Sequence, residues 1–326
     1  MKLDLRPMLA TLTDKPFDDP EWIFETKWDG FRLVAKVKDG EVALYSRNLI
    51  DLSSKYPSVC AGLRKVTGFA VIDGELVALD AHGRSRFQLL QNAERQRVRL
   101  RYCAFDLLYR DEQDLRARRL IERKEMLEKI LPKHPLLHYS AHVWDKGIAA
   151  FKRAVRADEE GVMAKLSTSH YYSGQRTGAW LKVKASLGQE VVIVGFTAPR
   201  RSRQYFGSLL LAVRDGKTWR YVGRAGTGFD RELLKSLHAL MVPLTTETKP
   251  IAERVPDAAN TTWVKPKLVG EVKFTEWTSK GEMRHPVFLG LRTDKKATDV
   301  MREIPRPGAG PSHSSRSRTP TLPCHS

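Results

Sequence analysis

Lys27 stands in the run Glu25-Thr26-Lys27-Trp28-Asp29-Gly30-Phe31-Arg32, at the end of a stretch that reads as a strand. A lysine placed beside a carboxylate, a glycine and an arginine can attack phosphorus, provided its surroundings hold it deprotonated. Asp-Gly is equally a common turn dipeptide. The chain repeats it at Asp39-Gly40 and Asp215-Gly216, both reading as hairpin turns between alternating strands. What separates chemistry from turn is whether the other parts of a phosphate-handling site follow in order. They do.

Arg47, in Tyr45-Ser46-Arg47-Asn48, lies at a strand end and suits a forked grip on a phosphate, although a lone arginine is most often surface charge. Asp73 and Glu75 sit inside the apolar strand Val71 to Val77, where a carboxylate is costly unless it meets a hydroxyl, a metal or a cation. Phe105 can stack on a purine, and by itself reads as ordinary core. Glu159-Glu160-Gly161 precedes another strand, and an acidic residue so placed can hold a divalent metal. In Trp180-Leu181-Lys182-Val183-Lys184 the two lysines point to one side of a strand, an unfavourable pairing unless an anion lies between them or the edge is solvated. A basic cluster around Arg284, Arg292, Lys295 and Lys296 follows near the end.

The elements that must carry these groups alternate in character. Ile23 to Lys27, Phe31 to Lys38 and Val42 to Ser46 read as an antiparallel meander after an irregular lead-in over residues 1–20. Strands are expected at Phe69–Leu79, Leu100–Tyr109, Gly161–Leu166 and Trp180–Lys184, and helices at Leu120–Leu131 and Ile148–Ala157. Past Ala185 short strands dominate, with one helix at Phe229–Leu240, which suggests a small barrel of the OB type. The expected division is residues 1–187, residues 188–304 and a disordered tail over 305–326 rich in Pro, Ser, Gly and Arg.

The 326 residues carry a net charge of +18, the footprint of a nucleic-acid binder if the excess gathers on one face. Three scattered cysteines argue against structural zinc or a disulfide framework and suit a reducing cytoplasm. No apolar run approaches the ~20 residues of a membrane span, and the first residues lack the apolar core of a signal peptide.

Taken together, the ordered motifs resemble the nucleotidyltransferase motifs of the ATP-dependent DNA ligases over roughly residues 5–304. The wording of Trp28 to Arg32, Phe206 to Leu211 and Arg284 to Arg292 is most similar to the ligase module of bacterial ligase D-type end-joining enzymes. The resemblance implies an α+β nucleotidyltransferase (ATP-grasp-like ligase catalytic) domain with antiparallel sheets, followed by an OB-fold β-barrel. It implies Lys27 as the nucleophile that takes AMP from ATP. Glu25 and Thr26 would flank the adenine, Arg32 and Glu75 would meet the ribose, and Phe105 would stack on the base. Asp29, Glu75 and Glu160 would position the metal, Mg2+ or Mn2+, and Lys182 and Lys184 would hold the α-phosphate. Arg292 and Lys295 would reach the pyrophosphate, and Arg47 the 5′-phosphate of the broken strand. Nicked or broken duplex DNA would be the substrate of a monomer working in repair or end joining, with a Ku-type end-binding protein and separate polymerase and nuclease proteins as partners. No stretch of this chain reads as the extra DNA-binding, polymerase or phosphoesterase modules of larger ligases. An RNA ligase, a capping-type guanylyltransferase or a non-catalytic nucleic-acid-binding relative are the alternatives. Arg84, Arg86, Arg95, Arg97, Arg200, Arg201 and Arg203 are the expected contacts to DNA phosphates.

Overall fold

A computed structural model describes residues 3–91, 93, 98–199, 203–256 and 258–305. Three sheets account for most of these. The first runs Leu9–Leu12, Arg176–Lys184, Gly161–Leu166, Trp22–Thr26, His142–Trp144. The second runs Glu41–Ser46, Phe31–Lys38, Ala70–Leu79, Arg99–Arg110, Gln113–Asp114, with Leu137–Tyr139 added parallel to Arg99–Arg110. Pairing is otherwise antiparallel in both, except between Leu9–Leu12 and Arg176–Lys184.

One core cluster draws Ile23, Tyr171 and Trp180 from the first sheet and its flanks, and Val34, Val71, Phe105 and Tyr109 from the second. The two sheets therefore face each other. Helices cover their outer faces. Pro57–Leu63 packs on the second sheet through Val59, Cys60 and Leu63, and Gly147–Arg156 packs on the first through Ala150 and Ala154.

The meander expected from Ile23 to Ser46 is corrected by this arrangement. Trp22–Thr26 and Phe31–Lys38 do not pair, and lie in different sheets. Trp22, Ile23, Phe24 and Glu25 are all buried, so the strand is covered on both faces and does not present the half-wet pattern of a hairpin arm. Lys27 to Gly30 is the crossing between sheets. The irregular lead-in also needs correction, since Leu9–Leu12 is an edge strand whose partner lies far along the chain. Asp39-Gly40 and Asp215-Gly216 are hairpin turns as expected, with positive φ at Asp39 (49°), Gly40 (84°) and Gly216 (60°).

The third sheet is the OB-fold. Its order is Thr218–Ala225, Leu209–Asp215, Leu187–Thr197, Val269–Phe274, Val287–Leu291, and Thr261–Trp263 pairs with Leu187–Thr197. The helix Arg231–Met241, capped by Asp230 accepting from Leu233 N–H (2.8 Å), closes its core through Leu237 and Met241. This unit rests on the first: Leu289 packs against the core behind the second sheet, and the Arg292 guanidinium lies over the rings of Phe31 (5.5 Å) and Phe87 (4.9 Å). Among the described residues no helix is long and apolar enough to cross a membrane. All but Pro305 of the expected tail lies outside them.

Candidate nucleotidyl-transfer site

The crossing segment is pinned at each residue. Lys27 N–H donates to Gly161 O (3.0 Å), tying the nucleophile candidate to the neighbouring strand just after Glu160. Its Nζ is in ion-pair contact with Glu160. Trp28 Nε1 donates to Ser140 Oγ (3.0 Å), and Asp29 Oδ2 accepts from Phe87 N–H (3.0 Å). Gly30 is required by packing, because a Cβ there would lie 2.1 Å from Leu76 O.

Around Lys27 opens a cavity of about 180 Å3 between the two facing sheets, roofed by the OB-fold. Every site residue expected from sequence lines it: Glu25, Thr26, Asp29, Arg32, Arg47, Glu75, Phe105, Glu160, Lys182, Lys184, Arg292 and Lys295 join Lys27. Glu25, on strand Trp22–Thr26, is held between Lys124 (2.8 Å) and Lys165 (2.9 Å). Burial works against its charged form, but the two lysines outweigh it and keep the carboxyl below its ordinary range. Arg32 is forked onto buried Asp73 (3.0 and 2.6 Å), which also accepts from Tyr171 Oη (2.6 Å). The guanidinium lies 5.3 Å from the Phe105 ring and 5.5 Å from that of Trp180, and Lys165 Nζ lies 4.3 Å from both. Phe105 thus presents its ring to two cations at the cavity floor.

The carboxylates near Lys27 are crowded. Burial, then Glu160 and Glu271, push Asp29 up to about 7, and burial pushes Glu75 up to about 8 against the pull of Arg292, Lys27 and Arg32. Burial outweighs the cations beside these two acids, and a hard divalent ion between them would favour their charged forms, so the donor set fits such an ion. No preformed cluster of three metal-ligating side chains occurs among the described residues. That is compatible with an ion held by one or two carboxylates together with substrate phosphates, as magnesium commonly is.

Lys182 and Lys184 both contact Glu303, at 2.5 and 2.8 Å. Arg292 is forked onto Asp294 (2.9 and 2.8 Å) and reaches Glu271 (2.7 Å), while Lys295 pairs with Glu190. Arg47 differs. It carries no ion pair among the described residues, and burial with Arg32 and Arg292 nearby lowers its pKa. Asp299 and Asp294 lie near enough to oppose that shift without forming an ion pair, and a cation so placed in the cavity lining is suited to an incoming phosphate.

Sequence reasoning missed Glu190, Glu271, Asp294 and Glu303, the carboxylates the OB unit and its following segment bring to the cavity. A single acidic residue in a strand carries no local signal of its partner. Lys165 and Trp180 lay inside strands expected from sequence, and their burial is the trace that marks them. Three arginines expected on DNA are otherwise engaged. Arg84 pairs with Asp80 (2.8 Å), Arg86 with Asp158 (2.6 Å), and Arg203 donates to Gly226 O (2.7 Å) while lying over Phe229. Arg95, Arg97, Arg200 and Arg201 lie outside the described residues.

Comparison with known proteins agrees with this geometry. Residues 7–184 match the family described as the ATP dependent DNA ligase domain, and residues 202–295 match the ATP dependent DNA ligase C terminal region. The multifunctional non-homologous end joining protein LigD of Pseudomonas aeruginosa is 38% identical over 320 residues, covering 94% of this chain and 37% of the relative. The corresponding DNA repair protein LigD of Mycobacterium tuberculosis is 38% identical over 305 residues, covering 92% of this chain and 40% of the relative. The chain thus spans about two fifths of the length of these relatives. A solved mycobacterial DNA ligase D, complexed with ATP and MES, superposes with a TM-score of 0.70 at 36% identity, covering 93% of this chain and all of that one. With the larger part of its length matched by the catalytic family and the remainder by the companion region, this chain belongs to the ATP-dependent DNA ligases.

Proposed function

We propose that this protein joins breaks in duplex DNA in three steps, the first two passing AMP through Lys27 and the third joining the strands. Deprotonated Lys27 Nζ attacks the α-phosphorus of ATP, the P–N bond forms, the bond to the bridging oxygen breaks, and pyrophosphate leaves. An oxygen of the DNA 5′-phosphate then takes AMP from the lysine, and the 3′-hydroxyl attacks that phosphate to expel AMP. The observation that carries this reading is the convergence of every expected residue on one cavity around Lys27.

Phosphoryl-type transfer needs positioning and charge neutralisation above all. Lys182 and Lys184 would hold the α-phosphate, Glu75 and Arg32 the ribose, and Phe105 with Glu25 and Thr26 the base. Arg47 would receive the 5′-phosphate. Asp29 and Glu160, with Glu75 nearby, would hold magnesium or manganese, which supplies neutralisation of phosphate charge. We assign residues 1–187 to nucleotidyl transfer and residues 188–304 to the closing OB unit, whose Arg292 and Lys295 would meet the pyrophosphate. The setting this reading extends to is bacterial end joining beside a Ku-type end-binding protein.

The test is mass measurement after incubation with ATP and magnesium. The chain gains one AMP, Lys27→Ala gains none, and Lys36→Ala on the adjacent strand still charges. Lys27→Arg also fails, since a guanidinium is no nucleophile. The charged protein seals a nicked duplex on a gel, and GTP does not replace ATP. An adduct that survives Lys27→Ala refutes the assignment.

A further inference from the structure

Apart from Arg47, the cations around Lys27 and under the OB unit are already paired with this chain's own carboxylates. Lys27 faces Glu160, Arg292 faces Asp294 and Glu271, Lys295 faces Glu190, and Lys182 with Lys184 face Glu303. A triphosphate is itself a polyanion, and the roughly 300–1,000 Å3 of an ordinary ligand pocket exceeds the 180 Å3 left free here. Some carboxylate must leave before a nucleotide enters.

Glu303 is the one built to leave. Glu190 and Glu271 belong to paired strands, and Asp294 is fully buried. Glu303 lies beyond the last strand, with 28% of its side chain exposed. Its carboxylate spans two lysines that project from one side of strand Arg176–Lys184, offering two oxygens to two ammonium groups as a phosphate would. The segment that delivers it is strapped to the OB unit. Arg214 N–H donates to Val300 O (2.7 Å), Gln189 Nε2 donates to Met301 O (2.9 Å), and Gln189 Oε1 accepts from Glu303 N–H (3.0 Å). The contact therefore crosses from the OB unit to the sheet that carries the lysines.

We propose that Glu303 is an internal occupant of the α-phosphate position: without ATP it bridges Lys182 and Lys184, holds the OB unit closed over a filled cavity, and must withdraw for nucleotide to bind. This rests on the ligase reading given above. Lys184 and Lys182 hold the Glu303 carboxyl well below its ordinary range despite burial, so it stays ionised at neutral pH. The affinity for nucleotide is then reduced by the fraction of molecules with the strap withdrawn.

The experiment is calorimetric titration of the full chain with an ATP analogue carrying methylene between the α- and β-phosphorus, beside AMP charging from ATP. If the strap is withdrawn in about a tenth of molecules, Glu303→Gln binds the analogue about tenfold more tightly. Gln189→Ala, which loosens the strap without touching the cavity, shifts affinity the same way, and thermal melts confirm that both variants are folded. Glu303→Asp, too short to span both lysines, falls between wild type and Glu303→Gln. Unchanged or weaker binding by both Glu303→Gln and Gln189→Ala overturns the proposal. If wild type still charges with AMP in that case, the ligase reading stands alone. If neither wild type nor variant binds or charges, both readings fall.

Discussion

Glu25→Gln is the substitution that most directly tests the electrostatics of the cavity floor. Glu25 is 3% exposed and sits between Lys124 and Lys165, themselves buried, at 2.8 and 2.9 Å. With the carboxylate ionised the trio carries one net positive charge, and the amide leaves two. Removing one partner of a buried ion pair costs about 3–5 kcal/mol, a large part of the ~5–15 kcal/mol that holds an ordinary domain together. The Phe105 and Trp180 rings, 4.3 Å from Lys165 Nζ, return only about 2 kcal/mol of that as cation–π attraction. The pH dependence is the sharper test. Burial lowers the Lys165 pKa below 10.5, and Glu25 opposes that shift. Between the folded value and 10.5 the unfolded chain binds more protons, so stability rises with pH in that window. Losing Glu25 lowers the folded value further and extends the window toward neutrality. In acid, wild type loses the contribution of Glu25 as pH falls from 4.5 through its depressed folded value, and the two proteins converge there too. Urea unfolding followed by tryptophan fluorescence, run from neutral pH toward 10.5, should show a deficit that is larger near neutrality and shrinks as pH rises. A deficit below about 1 kcal/mol, or one that stays constant across this range, refutes the account.

Arg292→Ala combined with Lys295→Ala should slow AMP charging by about 10²–10³, the usual loss when preorganised donors to a developing anion are removed. Sealing of a nick already carrying 5′-adenylate should change only a few-fold, as gel assays with the pre-adenylated strand would show; normal charging by the double variant excludes a role for these residues on pyrophosphate. Gly30→Ala should abolish charging and lower the melting temperature, because its Cβ would meet Leu76 O at 2.1 Å and displace the segment that holds Lys27. A variant that melts like wild type and charges normally would show that this crossing yields more easily than its packing indicates.

The residues of the cavity were legible because the chemistry dictates their types. A lysine beside a carboxylate and a glycine, paired lysines at period two and carboxylates set in apolar strands are each unusual locally, and all converge on one space. The architecture that brings them there was less legible. Alternation reports that a strand has two unlike faces, and it does not name the partner, so Trp22–Thr26 and Phe31–Lys38 read as neighbours when they belong to opposed sheets. Leu9–Leu12 had no local partner to reveal it. Arg84 and Arg86 illustrate the same limit for charge: as sequence they are cations on a basic protein, and in the fold Asp80 and Asp158 engage both. Ion pairing is a tertiary property, and so is the supply of Glu190, Glu271 and Glu303 to the cavity.

The position of Lys27 at the crossing between sheets puts the cavity between two facing sheets whose strands pair without the OB unit. Glu160 and Lys184 approach from the first sheet, Glu75 and Phe105 from the second, and neither set depends on the OB unit for its backbone pairing. The roof is attached differently. Arg292 wedges over Phe31 and Phe87, and Glu303, on a segment beyond the last strand, reaches Lys182 and Lys184 through side-chain contacts alone. Such contacts hold a closed state without locking it, which is what a lid must do if it is to complete the site for ATP and then uncover it for DNA. The strand-borne parts of the cavity lie within the facing sheets, and the replaceable charges lie on the element that the proposed mechanism would move.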